Sequence, residues 1–344
     1  MPIVKNSNLP TYDRLLDEGR HILGAGRAKD QDIRPLHIGF CNLMPDAALQ
    51  ATERQWFRLI GESNRVAQIH MRPFTLPVIE RGADATAYIA EHYDDIETLK
   101  AEGLDALIIT GANMPVEGLL DTPEQWQDLK DLYNWADSHV VSTISSCFAS
   151  YAYMAFNHAI LPIKHETKRH GAYPHYVLDR THPLTRGTNT KMDVCHSRWG
   201  EIIKDEYLKA NMIPLIESRD IGVHLSVSHD GFRNICFQGH PEYDMTSLLK
   251  EYKREILSLG EGQTAPPLPI NYFGPKAKKL IEDYIAGEID TFPEKEIEPL
   301  IENTWTDSAR SILANWVGHV YQITNVDRQK QFMDGVDPEN PLGI

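Results

Sequence analysis

Cysteine is scarce in this chain of 344 residues: it occurs at Cys41, Cys147, Cys195 and Cys236 only, and no two form a C-x-x-C pair. A disulfide framework and a zinc site are therefore not expected. Positive charge is in deficit as well. The 34 lysines and arginines face 49 acidic residues, for a formal net charge of -15. That argues against nucleic acid as a partner, because phosphate binding needs clustered cations. It leaves anionic small molecules open, since these need only a local basic pocket. No apolar run is long enough to span a bilayer, and the opening Met1-Pro-Ile-Val-Lys-Asn6 lacks the apolar core of a signal peptide. We expect a cytoplasmic protein with no membrane association. Internal repeats and low-complexity tracts are absent too.

What is present is the composition of a soluble globular protein, 42% hydrophobic and 24% charged. Strand and helix signals alternate in the first half. Strands are expected over 35–41, 66–74, 104–109 and 140–144. Helices are expected over 48–60 and 148–158, with another opened by Thr122-Pro-Glu-Gln125 that carries Trp126, Leu129, Leu132, Tyr133 and Ala136 at helical spacing. This alternation predicts an α/β fold, a doubly wound, mostly parallel sheet with helices on both faces. The later part is less regular. It shows a strand over 234–238, a helix over 246–257, an acidic helix-prone stretch over 276–302 broken by Pro293 and Pro299, and a final helix over 308–321 with Ile312, Leu313, Trp316 and Val320 facing inward. We divide the chain into an N-terminal arm (1–34), an α/β domain (35–273) and a helical C-terminal extension (274–344) packed on the same domain.

Chemistry is expected where the strand over 140–144 runs through Ser145 and Ser146 into Cys147, just before a helix. This is the layout of a nucleophile elbow, with helix N-terminal N–H groups placed to stabilise a thiolate and an oxyanion. The usual elbow glycines are replaced by Ser145 and Ala149, which are small enough for a tight turn. Position alone would equally fit a packing cysteine. Gly239-His-Pro-Glu-Tyr-Asp244 changes that balance. His240 directly follows a strand, and Glu242 lies two residues on, where it can fix the imidazole as the third member of a triad. We therefore assign Cys147 as nucleophile, His240 as base and Glu242 as its orienting carboxylate. Cys41, Cys195 and Cys236 are read as packing residues. The fifteen histidines show no metal-ligand spacing; His165, His170 and His175 are read as solvated, in a loop-like segment.

The Cys elbow followed by H-P-E resembles the class I glutamine amidotransferase-like fold. More specifically, the chain resembles the homoserine O-succinyltransferase / O-acetyltransferase family of methionine biosynthesis. The matches are spread along the chain: Ile33-Arg-Pro-Leu36, Asn42-Leu-Met-Pro45, Thr110-Gly-Ala112, His196-Ser-Arg198, Gly239-His-Pro-Glu-Tyr-Asp244, Asn271-Tyr-Phe273 and Tyr321-Gln-Ile-Thr324. The resemblance implies a ping-pong O-acyltransferase. A succinyl or acetyl group would pass from acyl-CoA, as co-substrate, to the cysteine and then to the hydroxyl of L-homoserine. It implies no cofactor and no metal, and it suggests a homodimer. It also implies substrate contacts at Lys168, Ser197 and Arg254, the guanidinium suiting an amino acid's carboxylate.

The match breaks in four places, one of them the stretch from Gly274 to Asn303, which is longer than the family's usual link. The family's two lysines after N-L-M-P are Asp46 and Ala47 here; one of them is credited with helping the oxyanion hole, and an acid pointing inward would oppose developing negative charge. The oxyanion would then rest on backbone N–H groups near Cys147 and Phe148. The position that discriminates succinyl from acetyl donors, normally Gly or Glu, is Pro115. The family's usual Trp after the nucleophile is Phe148. Alternatives left open are the same chemistry on another hydroxyl amino acid such as serine, a non-catalytic relative that kept the fold, and a glutamine amidotransferase.

Overall fold

The computed structural model describes residues 3–112, 119, 123–260 and 263–344. Eleven strands are formed by them: β1 (Val4–Lys5), β2 (Leu23–Gly24), β3 (Pro35–Cys41), β4 (Gln68–Phe74), β5 (Ala106–Ile109), β6 (Thr143–Ser146), β7 (Ile163–Val177), β8 (Lys191–Glu201), β9 (Ile213–Ser218), β10 (Gly222–Val227) and β11 (Asn234–Phe237). β1 and β2 pair with each other, and the other nine form one sheet in the order β4-β3-β5-β6-β11-β10-β9-β7-β8. The half from β4 to β11 is parallel. The half from β11 to β8 is antiparallel. The expected doubly wound sheet is thus present and is continued by four further strands.

The parallel strands are apolar on both sides because both faces are covered. On β5, Ala106 and Ile108 join one core with Trp56, Phe57, Ile60, Ile312, Leu313 and Trp316, while Leu107 and Ile109 join a second with Leu129, Leu132, Ala152 and Met154. Helices Asp46–Ser63 and Thr306–Ile323 therefore cover one face, and helices Gln127–His139 and Phe148–His158 the other. Fully burying one such aliphatic side chain contributes about 1.5–3 kcal/mol, so pattern and layering support each other. Residues of the arm join the first core through Ile3, Leu9, Tyr12 and Leu15. A third cluster joins helices Ser247–Leu257 and Pro275–Ile285 with Tyr272, Phe273 and Trp305. Among the described residues no helix is long and apolar enough to cross a membrane.

Some expectations are corrected. Residues 163–177 are not a loop but the long strand β7, paired with β8 over most of its length. His165, His170 and His175 are not freely solvated: His165 faces Glu201 at 2.9 Å, His170 is 5% exposed, and His175 is fully buried. The many charged residues of 164–170 hide the strand, because antiparallel pairing satisfies its backbone whatever its polarity. The strand before Cys147 starts at Thr143 rather than Val140, and Pro123–Trp126 is a single 3-10 turn ahead of helix Gln127–His139. Thr122 and Pro115 lie outside the described residues.

Candidate active site

β6 and β11 are adjacent and parallel, with Ser146 opposite Phe237. Their carboxyl ends therefore open side by side, which is where ligands of open α/β sheets are held. Cys147 follows β6 directly and starts helix Phe148–His158. Its backbone has φ 51° and ψ -111°, a strained conformation for a residue with a side chain. The turn is fixed by Cys147 N–H donating to Phe237 O at 2.7 Å and by Ser150 Oγ donating to Cys147 O at 2.6 Å. Cys147 is partly exposed, whereas Cys41, Cys195 and Cys236 are buried, and burial pushes the thiols of those three up. The other thiols stay protonated, as expected of packing cysteines. On the far side Gly111 lies so close that a Cβ there would be 3.3 Å from Cys147 Cβ and 3.8 Å from Met44 Sδ.

His240 is 7% exposed, and its Nδ1 faces Glu242 Oε1 at 2.9 Å. Its Nε2 has no hydrogen-bond partner among the described residues, yet the Cys147 thiol lies near enough to act on its charge. Burial alone would lower the pKa of this imidazole. The Glu242 carboxylate and Cys147 outweigh burial and hold it well above its ordinary value. The arrangement favours an imidazolium beside the sulfur. Arg58 supports the turn, donating to Glu242 O at 3.3 Å and lying 3.6 Å from Asp244. Arg54 meets Asp244 at 2.7 Å, and against the cost of burial the two cations pull that carboxyl down to about 2.

Beneath the H-P-E turn lies a bed of buried histidines. His175 and His196 stack at 5.0 Å and 7°, and His224 packs edge-on against both. Arg198 Nε donates to His196 Nδ1 at 3.1 Å, and Gly239 N–H donates to His224 Nδ1 at 3.2 Å. Burial, then Arg198 and the neighbouring imidazoles, hold His196 well below its ordinary value; it stays neutral.

Lys168 and Ser197 are brought together, and a residue that the sequence did not single out unites them. Glu251, on helix Ser247–Leu257, accepts from Ser197 Oγ at 2.5 Å and from Tyr243 Oη, lies 3.4 Å from Lys168 Nζ, and faces His170 Nε2 at 3.5 Å. Burial would raise its pKa, but His170, Lys168, Ser197 and Tyr243 together hold it below the usual carboxylate range. Lys168 also pairs with Glu255 at 2.5 Å. Tyr243 in turn stacks on His240. The only sequence signal for this hub was its place one helical turn before Arg254. Arg254 itself is exposed and makes no ion pair or side-chain hydrogen bond among the described residues.

Asp46 is turned toward the loop after β4. It accepts from Gly82 N–H at 2.8 Å and pairs with Arg81 at 3.2 Å, and the Gly82 N–H, helped by Arg81, lowers its pKa against an opposing desolvation. The expected opposition to an oxyanion therefore does not arise from this geometry. Asn42, Leu43 and Met44 spend their backbone N–H groups on Phe74 O, Thr110 Oγ1 and Asn42 Oδ1. None of these three N–H groups is free, whereas the first turn of helix Phe148–His158, directly after Cys147, has N–H groups without helical partners.

The chain matches the family model described as homoserine O-succinyltransferase over residues 2–326. It is similar to the homoserine O-succinyltransferase of Thiobacillus denitrificans, 48% identical over 349 residues and covering 100% of both chains. It is also similar to that of Nitrosococcus oceani, 48% identical over 355 residues, covering 100% of this chain and 99% of the other. Among solved structures it is similar to a glutamine amidotransferase from Thermotoga maritima, with TM-score 0.48, 9% identity, and coverage of 83% of this chain and 98% of that one.

Proposed function

Since the chain belongs to the homoserine O-succinyltransferase family, an acyltransferase family of methionine biosynthesis, we propose that it moves a succinyl group from succinyl-CoA through a Cys147 thioester to the hydroxyl of L-homoserine. One observation supports this reading above the rest: a strained, partly exposed cysteine at one strand end beside a His–Glu pair at the next.

The chemistry follows from that pair. Cys147 Sγ attacks the donor's thioester carbonyl while His240 holds the proton released by the thiol. The tetrahedral oxyanion is met by N–H groups at the start of helix Phe148–His158. Collapse expels the CoA thiolate, which takes the proton from His240, and leaves succinyl-Cys147. Homoserine then enters, His240 removes its hydroxyl proton, and the alkoxide attacks the Cys147 thioester. The second intermediate collapses to the succinyl ester and regenerates the thiolate–imidazolium pair. Glu242 holds the imidazole in line and stabilises its charge throughout. Lys168 and Ser197, gathered on Glu251, face the amino acid's polar groups in this reading, and Arg254, with no partner of its own among the described residues, takes its carboxylate. No cofactor beyond the co-substrate enters any step.

The test is intact-mass spectrometry after mixing with succinyl-CoA and with acetyl-CoA separately. We expect a succinyl adduct that is absent from Cys147→Ala and is discharged by homoserine. An adduct that persists on Cys147→Ala removes the thioester, and an acetyl adduct alone reverses the donor assignment.

A further inference from the structure

Arg81 is placed in a way that loop packing alone does not account for. It lies in the connection after β4, and its side chain is only 8% exposed. The guanidinium donates to Met44 O at 2.5 Å and Asn42 O at 3.0 Å, both in the loop after β3, to Thr75 Oγ1 at 3.0 Å, and to Asp46 Oδ1 at 3.2 Å. Thr75 Oγ1 in turn donates to Asn42 O at 2.9 Å. Among the described residues Nε alone of its nitrogens lacks a partner. A nearly buried cation whose one carboxylate partner is 39% exposed is costly unless its position matters.

What it fixes is next to the nucleophile. Met44 Sδ and Cys147 Cβ both border the space that a Cβ on Gly111 would enter. Leu43 N–H, one residue before Met44, is tied to Thr110 Oγ1, and Thr110 Oγ1 donates to Gly111 O at 2.9 Å. The loops after β3, β5 and β6 thus meet around Cys147, and Arg81 is the tie that joins the loop after β4 to that junction.

We propose that Arg81 is a positioning residue for acylation: through the Met44 and Asn42 carbonyls and Asp46 it holds residues 42–46 against Gly111, and so sets the wall of the acyl pocket beside Cys147. The proposal rests on the acyl-thioester reading above. A planar fork is needed, because the guanidinium spans two carbonyls, a hydroxyl and a carboxylate at once; an ammonium keeps the charge but cannot reach all four. Misplacing the reacting carbonyl by about 1 Å costs on the order of a hundredfold in rate.

The experiment compares wild type with Arg81→Lys, Arg81→Ala and Asp46→Asn. It reads thioester formation from succinyl-CoA by rapid-quench mass spectrometry, the burst of p-nitrophenol from p-nitrophenyl acetate, alkylation of Cys147 by iodoacetamide against pH, and the thermal midpoint. We expect Arg81→Lys to acylate about tenfold slower and Arg81→Ala on the order of a hundredfold slower. The alkylation profile should stay as in wild type, because the Cys147–His240 pair does not depend on Arg81. Asp46→Asn should show a smaller loss, and the double variant with Arg81→Lys less than the product of the two, because both act through one contact. Acylation by Arg81→Lys at the wild-type rate overturns the proposal. So does a loss matched by equal falls in alkylation and thermal midpoint, which marks a purely structural residue. If wild type forms no succinyl adduct yet gives a burst, the donor reading fails while the burst still decides the role of Arg81.

Discussion

The phenol ring of Tyr243 lies on the imidazole of His240, with centroids 4.2 Å apart and planes 18° apart, while its hydroxyl donates to Glu251. One side chain therefore joins His240 to the polar hub that holds Ser197 and Lys168. Tyr243→Phe keeps the stack and removes the bond. We expect a stability loss of about 1.5–3 kcal/mol, the usual worth of a hydrogen bond to a charged group, with acylation little changed. Tyr243→Leu removes the stack as well and should slow acylation. Single-turnover rates beside denaturant melts separate the two, and equal rates in both variants would mean that the ring does not orient His240.

Glu251 offers a pH test. Its folded pKa lies below the usual range. A depressed carboxyl contributes stability above its unfolded value, about 4.3, and loses it as pH falls through the folded value. Glu251→Gln should therefore be less stable than wild type by about 1–3 kcal/mol at neutral pH, and the gap should close below the glutamate range. It should also raise the KM for homoserine, since Ser197 and Lys168 lose their common acceptor. A gap that is constant with pH would show that the charge of Glu251 contributes nothing.

His240 carries the opposite sign. Its folded pKa is raised, so its contribution is complete below the ordinary imidazole value, about 6.5, and is lost as pH climbs through the folded value. Glu242→Gln removes the principal cause of the rise. The imidazolium is then less favoured. Alkylation of Cys147 at pH 7 should slow, because the imidazole no longer offers the same positive charge to the sulfur. Unchanged alkylation would detach Glu242 from the catalytic pair.

How much of this was legible in the sequence depended on period and contiguity. β3, β5 and β11 show as short apolar runs, and the elbow and H-P-E turn show because each is contiguous in the chain. The antiparallel half stayed hidden: β7 carries lysine, arginine and histidine along its length, so no apolar alternation marks it. Glu251 was equally invisible, because its partners Ser197, Lys168 and His170 arrive from β7 and β8, far away in sequence. From sequence Asp46 reads as an acid that opposes an oxyanion only if it points inward. Only the fold reveals that Gly82 and Arg81 turn it away.

Arg254 is the remaining assignment that chemistry can test directly. Its guanidinium is exposed and makes no ion pair among the described residues, so replacing it should leave the fold unmoved. Arg254→Lys should weaken the use of homoserine and spare thioester formation, because a point charge cannot replace a bidentate fork on a carboxylate. Loss of the thioester itself would put Arg254 on the donor side.

Gly239 tests whether the histidine bed positions His240. A Cβ at this residue would fall 2.8 Å from His196 Cε1 and Nε2 and 2.8 Å from Val194 Cγ1. Neither neighbour can retreat easily. His196 is fully buried, bonded to Arg198, and stacked on His175; Val194 is held in β8. The strain must therefore be relieved by the chain at 239–240, which carries His240. Overpacking of this kind costs about 1–3 kcal/mol. Gly239→Ala should thus be destabilised by that order, and the variant that remains folded should alkylate and acylate more slowly because His240 no longer lines up with Cys147. Gly239→Ser, which adds one more atom in the same place, should be worse in both. If Gly239→Ala loses stability yet its folded fraction acylates at the wild-type rate, the turn has absorbed the methyl without moving the imidazole, and the bed of His175, His196 and His224 is packing alone.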